Sequence, residues 1–274
     1  MWTRQATVAS VNAPDALTDD QRRPLRIEIV VVLMVTFALS AYTAILDLIE
    51  AVLLGLAGQT VALNPRRSSF DLIDLGLNLA TVFQLVAWGF LAVYLLWRSG
   101  FGPAAIGLGR PRYRLDLLGG IGLAALIGLP GLALYVTARA LGLSASVVPS
   151  ELNDTWWRIP VLILVSFANA WAEEIIVVGF LLTRLHQLRV RPSTALVLSS
   201  LLRGTYHLYQ GFSAGLGNVV MGLVFGYAWR RTGRLWPLII AHGVINTVAY
   251  VGYALVADRL NWLSKFTCNT LLGL

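Results

Sequence analysis

Residues 159–183 read IPVLILVSFANAWAEEIIVVGFLLT, and the only charges in the run are Glu173 and Glu174. A helix rises about 1.5 Å per residue and the hydrocarbon core of a bilayer is about 30 Å thick, so a run of this length has the size of a membrane span. Isolated in lipid, two adjacent carboxylates at its centre would be costly. Surrounded by other helices, they become the polar interior of a bundle. The stretch therefore predicts an all-α fold, a polytopic transmembrane helical bundle whose active site lies inside it.

The rest of the chain agrees. Of 274 residues, 57% are apolar and 13% charged, with a mean hydropathy of +0.71. Soluble domains carry about 25% charge, so a water-soluble globule and a disordered chain are both excluded. The single cysteine, Cys268, excludes a disulfide framework and a cysteine-based zinc site. Further apolar segments lie at about 27–57, 69–97, 115–141, 193–209, 214–229 and 235–257, which predicts about seven spans. The first segment is long enough to hold an eighth. Residues 1–26 read as a disordered cytoplasmic tail, 27–258 as a single transmembrane domain and 259–274 as a C-terminal tail. There is no tandem repeat and no inverted one, which argues against a transporter built from duplicated halves.

The formal charge is +7, and Lys265 is the only lysine among the 21 basic residues. With the N-terminus inside, 14 cations fall in cytoplasmic loops and six outside, Arg203 being left within a span. That asymmetry predicts an integral membrane protein with a cytoplasmic N-terminus and membrane lipid around it, and the expected location is a bacterial plasma membrane. No RNP-like or zinc-finger pattern is present, and no nucleic-acid partner is expected.

Most acids lie in tails, loops or span ends. Glu173, Glu174, Arg203, His207 and His242 do not. Each costs roughly 2.5–3.5 kcal/mol to insert at a helix centre, so together they mark a functional site. Arg203 and His207 are spaced i, i+4, as are His242 and Asn246, so each pair shares a helix face. Asn169 precedes Glu173 by one turn. Amide hydrolysis needs a base to activate water and donors to hold the oxyanion. A glutamate with a histidine can supply the first, and a histidine with an asparagine the second. A Glu/His zinc site is chemically possible but not favoured, and no cofactor is expected. Three other readings use the same residues. Gly211-Phe212-Ser213-Ala214-Gly215 could pair Ser213 with His242 in a Ser-His dyad similar to a rhomboid protease, although Ser213 reads better as a helix N-cap. The histidines could ligate haem or the glutamates carry protons. The chain could also be a catalytically silent scaffold or binding protein.

Glu173-Glu174-x-x-x-x-Gly179, SSLLRGTYHLYQG with His207, and GLVFGYAWRRTGRLWPLIIAHGVIN with His242 and Asn246 resemble the CAAX-protease and bacteriocin-processing (CPBP) family of intramembrane endopeptidases. That family includes type II CAAX prenyl endopeptidases and Abi proteins. The resemblance covers about residues 159–250, a protease-like core. It implies that Glu173 and His207 activate the attacking water, that Glu174 supports them, and that His242 and Asn246 form the oxyanion site. The family was long called metalloproteases, but the resemblance favours a metal-independent glutamate mechanism acting on a peptide or membrane-protein substrate. Two positions depart from the pattern. Val178 stands where the family has arginine, and Arg203 stands where it has phenylalanine. The arginine has changed helices, and a carboxylate partner is expected for it, Glu174 first and Glu173 second.

Overall fold

The computed structural model describes residues 18–152 and 154–272, with side chains as far as Leu255, Asp19 apart. Helix α1 (Asp19–Leu33) continues through a π-helical turn, Met34–Ala38, into α2 (Leu39–Leu54). Then come α3 (Asp71–Arg98), α4 (Tyr113–Ala140) and α5 (Arg158–Glu173). A second π-helical turn, Glu174–Phe180, joins α5 to α6 (Leu181–Gln187), and α7 (Pro192–Thr205), α8 (Phe212–Thr232) and α9 (Trp236–Leu272) follow. Local chemistry places the ends. Asp71 and Asp74 open α3 and Arg98 closes it, each charge matching the helix dipole. Pro192 occupies the first turn of α7, and Gly233 caps α8 in the left-handed region at φ 65°.

Among the described residues, six helical stretches are long and apolar enough to cross a membrane. The first is one continuous rod, Asp20–Leu54, so the opening apolar segment holds a single crossing. The segment at 193–209 differs from the expected span. It forms the 14-residue α7, then a 3-10 turn at Leu208–Gln210. At about 1.5 Å per residue α7 is about 21 Å long, short of the hydrocarbon thickness, so it is not among the six helical stretches of span length. Two boundaries also move. Helix begins at Asp19 inside the expected N-terminal tail, and α9 runs past 258 to Leu272. Residues 1–17 of that tail lie outside the described residues.

The stretch Arg158–Gln187 is the axis of the bundle. Its span window is 67% buried inside the protein, against 11% for α4, whose leucines face outward where lipid belongs. α3 packs on it through Gly89, where an added Cβ would strike the Trp171 indole, and that indole donates to the Val86 carbonyl. α7 and α8 meet along a seam of small residues. A Cβ on Gly204 would stand 2.7 Å from the Gly215 carbonyl oxygen, and one on Gly222 2.9 Å from Ser200 Cα. Close backbone approach of this kind is how helices associate where lipid removes the hydrophobic drive.

The two ends of the bundle are unlike. One end gathers Arg22, Arg23 and Arg26 of α1, Arg98 and the 98–114 connection, Arg184 through Arg191, and Arg230 through Arg234. It is tightly closed: Arg184 bonds Glu28, Leu95 O, Ser99 and Gln187, and Arg234 grips both oxygens of Asp116. Trp229 Nε1 donates to Ile106 O, and Leu235 N to Gly107 O. At the opposite end the connections after α2 and α4 pair as two short parallel strands, β1 (Thr60–Ala62) and β2 (Ser146–Val148). Ser144 there bridges to Gly211, at the head of α8.

The α7–α8 seam yields a stability test. Ala gains about 1 kcal/mol of helix propensity over Gly, but overpacking against backbone costs about 1–3 kcal/mol. Gly204→Ala is expected to lower the unfolding temperature in detergent. Gly217→Ala, whose Cβ would meet only Leu134 Cδ2 at 3.7 Å, is expected to leave it unchanged or raise it.

Candidate active site

Glu173 ends α5 and Glu174 begins the π-helical turn, so the two neighbours leave the axis helix in different directions. π-helical turns inside α-helices occur preferentially at functional sites, where they redirect side chains. Glu173 faces a cavity of about 1600 Å³. Asn169 Nδ2 donates to its Oε1 at 2.8 Å, and Tyr206 OH donates to its Oε2 at 2.6 Å. Both oxygens are thus held in place, yet each keeps a second lone pair for a further proton.

Glu174 has no share in the cavity wall. Its Oε1 takes Arg203 Nη2 at 2.8 Å and His242 Nδ1 at 2.8 Å, with both Glu174 and Arg203 fully buried. The Arg203 contact is a close ion pair without an aligned hydrogen bond. Nε, Nη1 and Nη2 all lack a hydrogen-bond partner among the described residues, as does Glu174 Oε2. The guanidinium lies over the Phe225 ring at 5.8 Å, which adds a cation–π contact. Val178, in the same π-helical turn, is buried in the apolar core.

Backbone and carboxylate partners assign the imidazole protons. His207 Nδ1 lies 2.9 Å from Arg203 O, a carbonyl that only accepts, so Nδ1 carries the hydrogen and neutral Nε2 has a free lone pair. His242 Nδ1 faces the Glu174 carboxylate, also an acceptor, so Nδ1 carries a hydrogen, and Nε2 donates when the ring carries both. Both histidines and Asn246 line the cavity. Asn246 Nδ2 has no hydrogen-bond partner among the described residues, leaving an amide donor free.

Two readings of Ser213 meet different geometry. Ser213 is not the N-cap of α8, because Gly211 is. The Ser213 hydroxyl donates to Ser144 Oγ at 3.0 Å and His242 Nδ1 is on Glu174, so neither bond joins the pair that a Ser-His dyad requires.

Tyr206 is the cavity-lining partner of Glu173 that reading the sequence missed. It stacks on Phe37 with ring centroids 4.8 Å apart, and Phe37 in turn meets Trp88 edge-on at 5.8 Å. Phe37 sits in the π-helical turn between α1 and α2, so both π-helical turns of the structure border the site. A count of formal charges passes over a phenol. Its position directly before His207 was the available signal.

Residues 155–248 match the family described as type II CAAX prenyl endopeptidase Rce1-like. The match begins just before α5, ends within α9 and takes in every residue of the site except Phe37 and Trp88. No curated protein and no solved structure matches the chain.

The buried ion pair sets a prediction about the displaced arginine. Removing one partner of a buried pair costs about 3–5 kcal/mol, so Arg203→Phe should strongly destabilise the protein by stranding Glu174 with His242 alone. Val178→Arg should also destabilise it, by adding a guanidinium beside the first. The double variant should recover part of either loss in denaturation measured in detergent. Strictly additive losses would show that the two positions share no partner.

Proposed function

We propose that this chain, whose residues 155–248 match the type II CAAX prenyl endopeptidase Rce1-like family, is an intramembrane endopeptidase of the CPBP type in which Glu173 and His207 activate the attacking water. The observation that carries this reading is the division of labour between neighbouring glutamates. Glu173 lies on the cavity wall, oriented by two donors, while Glu174 lies behind it, committed to Arg203 and His242.

The steps follow from the donor and acceptor roles. A peptide enters the cavity with its carbonyl toward His242 and Asn246. Water sits between a Glu173 oxygen and His207 Nε2, both acceptors, and gives a proton to Glu173 as its oxygen bonds to the carbonyl carbon. The oxyanion that forms is held by His242 Nε2–H and Asn246 Nδ2, donors already in position before the reaction. Glu173 then passes the proton to the amide nitrogen, the C–N bond breaks, and the acid and amine products leave. Tyr206 keeps Glu173 in register through its hydrogen bond to Oε2. Arg203 acts one step further back, as the countercharge that lets Glu174 remain a carboxylate against His242. The arginine distribution supports a cytoplasmic N-terminus.

Glu173→Gln keeps the side-chain shape and the Asn169 geometry but removes the base. It and His207→Ala are expected to abolish cleavage while the protein stays folded and inserted. The readout is a comparison of protein termini in membranes carrying wild type or variant, in which termini dependent on Glu173 identify substrates. His242→Ala should slow turnover by about 2.7–4 kcal/mol of transition-state stabilisation, as for loss of an oxyanion donor. Tyr206→Phe should reduce kcat with little change in KM, since it frees Glu173 and leaves the peptide contacts intact. Near-normal turnover of Glu173→Gln would overturn the glutamate mechanism.

A further inference from the structure

Between Glu174 and Asp258 the chain contains no aspartate or glutamate, yet it holds seven arginines. Three of them reach carboxylates on other elements: Arg184 meets Glu28, Arg203 meets Glu174 and Arg234 meets Asp116. Arg189, Arg191, Arg230 and Arg231 are exposed and have no carboxylate partner among the described residues. Folding gathers three of these at one corner. Arg191 stands directly before Pro192 at the head of α7, and Arg230, in the last turn of α8, places Nη1 3.5 Å from the Pro192 carbonyl oxygen. Arg231 follows it. Its Nε donates to Tyr227 OH at 2.9 Å and its guanidinium lies 5.2 Å from the centre of that ring, which holds the charge against the helix. Like charges gathered at one junction repel, and an anion placed among them removes that repulsion.

The surface beside this corner is apolar. Val197, Leu198 and Leu201 of α7 and Tyr227 of α8 are between 46% and 51% exposed, so side chains that a soluble protein would bury face outward from the bundle. Outward apolar side chains of a membrane bundle meet acyl chains. Helix α8 is one of the stretches of span length and ends at Thr232, so Arg230 and Arg231 lie at the end of a span, where hydrocarbon gives way to headgroups. Guanidinium groups match phosphate oxygens in charge and in fork geometry.

We infer that the α7–α8 corner is a binding site for an anionic phospholipid, with the phosphate among Arg191, Arg230 and Arg231 and the acyl chains along the outward apolar side chains of the two helices. Charge selects the ligand class, because no carboxylate competes for these arginines. The apolar surface selects the source, because free phosphate uses the arginines alone and a phospholipid uses both. A zwitterionic lipid would bring a cation of its own to three others. The site also bears on the buried ion pair. A phosphate shared by the head of α7 and the end of α8 clamps the seam in which Gly204 and Gly222 pack, and α7 carries Arg203 to Glu174. The inference is independent of the endopeptidase reading.

Native mass spectrometry of the full-length protein, stripped of lipid in a neutral detergent, measures binding of phosphatidylglycerol against phosphatidylcholine with the same acyl chains. The wild type is expected to prefer phosphatidylglycerol by about tenfold, the size that a few arginine contacts near a membrane surface supply. Added phosphatidylglycerol should raise the unfolding temperature, and salt should narrow the preference. The variant Arg191→Gln/Arg230→Gln/Arg231→Gln should bind the two lipids alike. The variant Arg110→Gln/Arg114→Gln, at exposed arginines of another connection, should keep the preference. Equal binding of both lipids by the wild type overturns the proposal, as does an undiminished preference in the triple variant. Loss of preference in the Arg110/Arg114 variant also overturns it, because the whole arginine-rich end would then attract anions without a site at this corner. A thermal shift reproduced by inorganic phosphate alone would refute the phospholipid as ligand. If the triple variant does not fold, Arg230→Gln alone decides: part of the preference should be lost, and full retention counts against the site.

Discussion

A guanidinium and a carboxylate, both with no exposure to solvent, meet at 2.8 Å in the centre of a helical bundle, and much of the site follows from that contact. Two opposite charges in an apolar interior tolerate little displacement, because each is stranded if the other moves. Arg203 therefore ties α7 to the axis helix, and the ion pair also captures His242 of α9 through the same Glu174 oxygen. Three helices far apart in sequence are joined at one atom. Glu173, the next residue along, projects the other way into the cavity with its second neighbour, Tyr206, supplied by the end of the same α7.

The π-helical turns make that division possible. In a regular helix, adjacent side chains diverge by a fixed angle and their carbonyls are all engaged along the axis. At Glu174–Phe180 the widened turn changes that register, and Ser199 of α7 donates to the Val177 carbonyl at 2.7 Å. The other π-helical turn places Phe37 against Tyr206, which holds the phenol over Glu173. The site is thus braced from the helix that carries the acid and from the helix that faces it. Tyr206 and Asn169 hold both carboxylate oxygens of Glu173, which fixes the group's orientation.

The positions at which the sequence departs from the pattern it resembles fit together. Val178 packs into the apolar core, and Arg203 brings a guanidinium to Glu174 from another helix. Close approach of α7 and α8 through Gly204 and Gly222 sets the depth at which Arg203 enters. Phe225, on α8, then provides the aromatic face beneath it. The cation and the small-residue seam belong to the same structural solution.

Apolar runs of span length determined the bundle from the sequence alone, since nothing else can hold so many uninterrupted apolar residues in contact with lipid. Insertion cost did the same for Glu173, Glu174, Arg203, His207 and His242, because charge in an apolar segment is conspicuous in one dimension. Spacing paired His242 with Asn246 on a face, but could not tell which glutamate meets the cavity. That depends on a π-helical turn, whose sequence is as apolar as any helix. The brevity of α7 was hidden for a related reason: hydropathy records composition, and the 193–209 segment is apolar whether or not it remains helical to the far side. Tyr206 carries no formal charge, so its role came into view only once folding laid its hydroxyl on Glu173. The cavity belongs wholly to the tertiary structure, because it is the space left between helices, and no single segment encodes it.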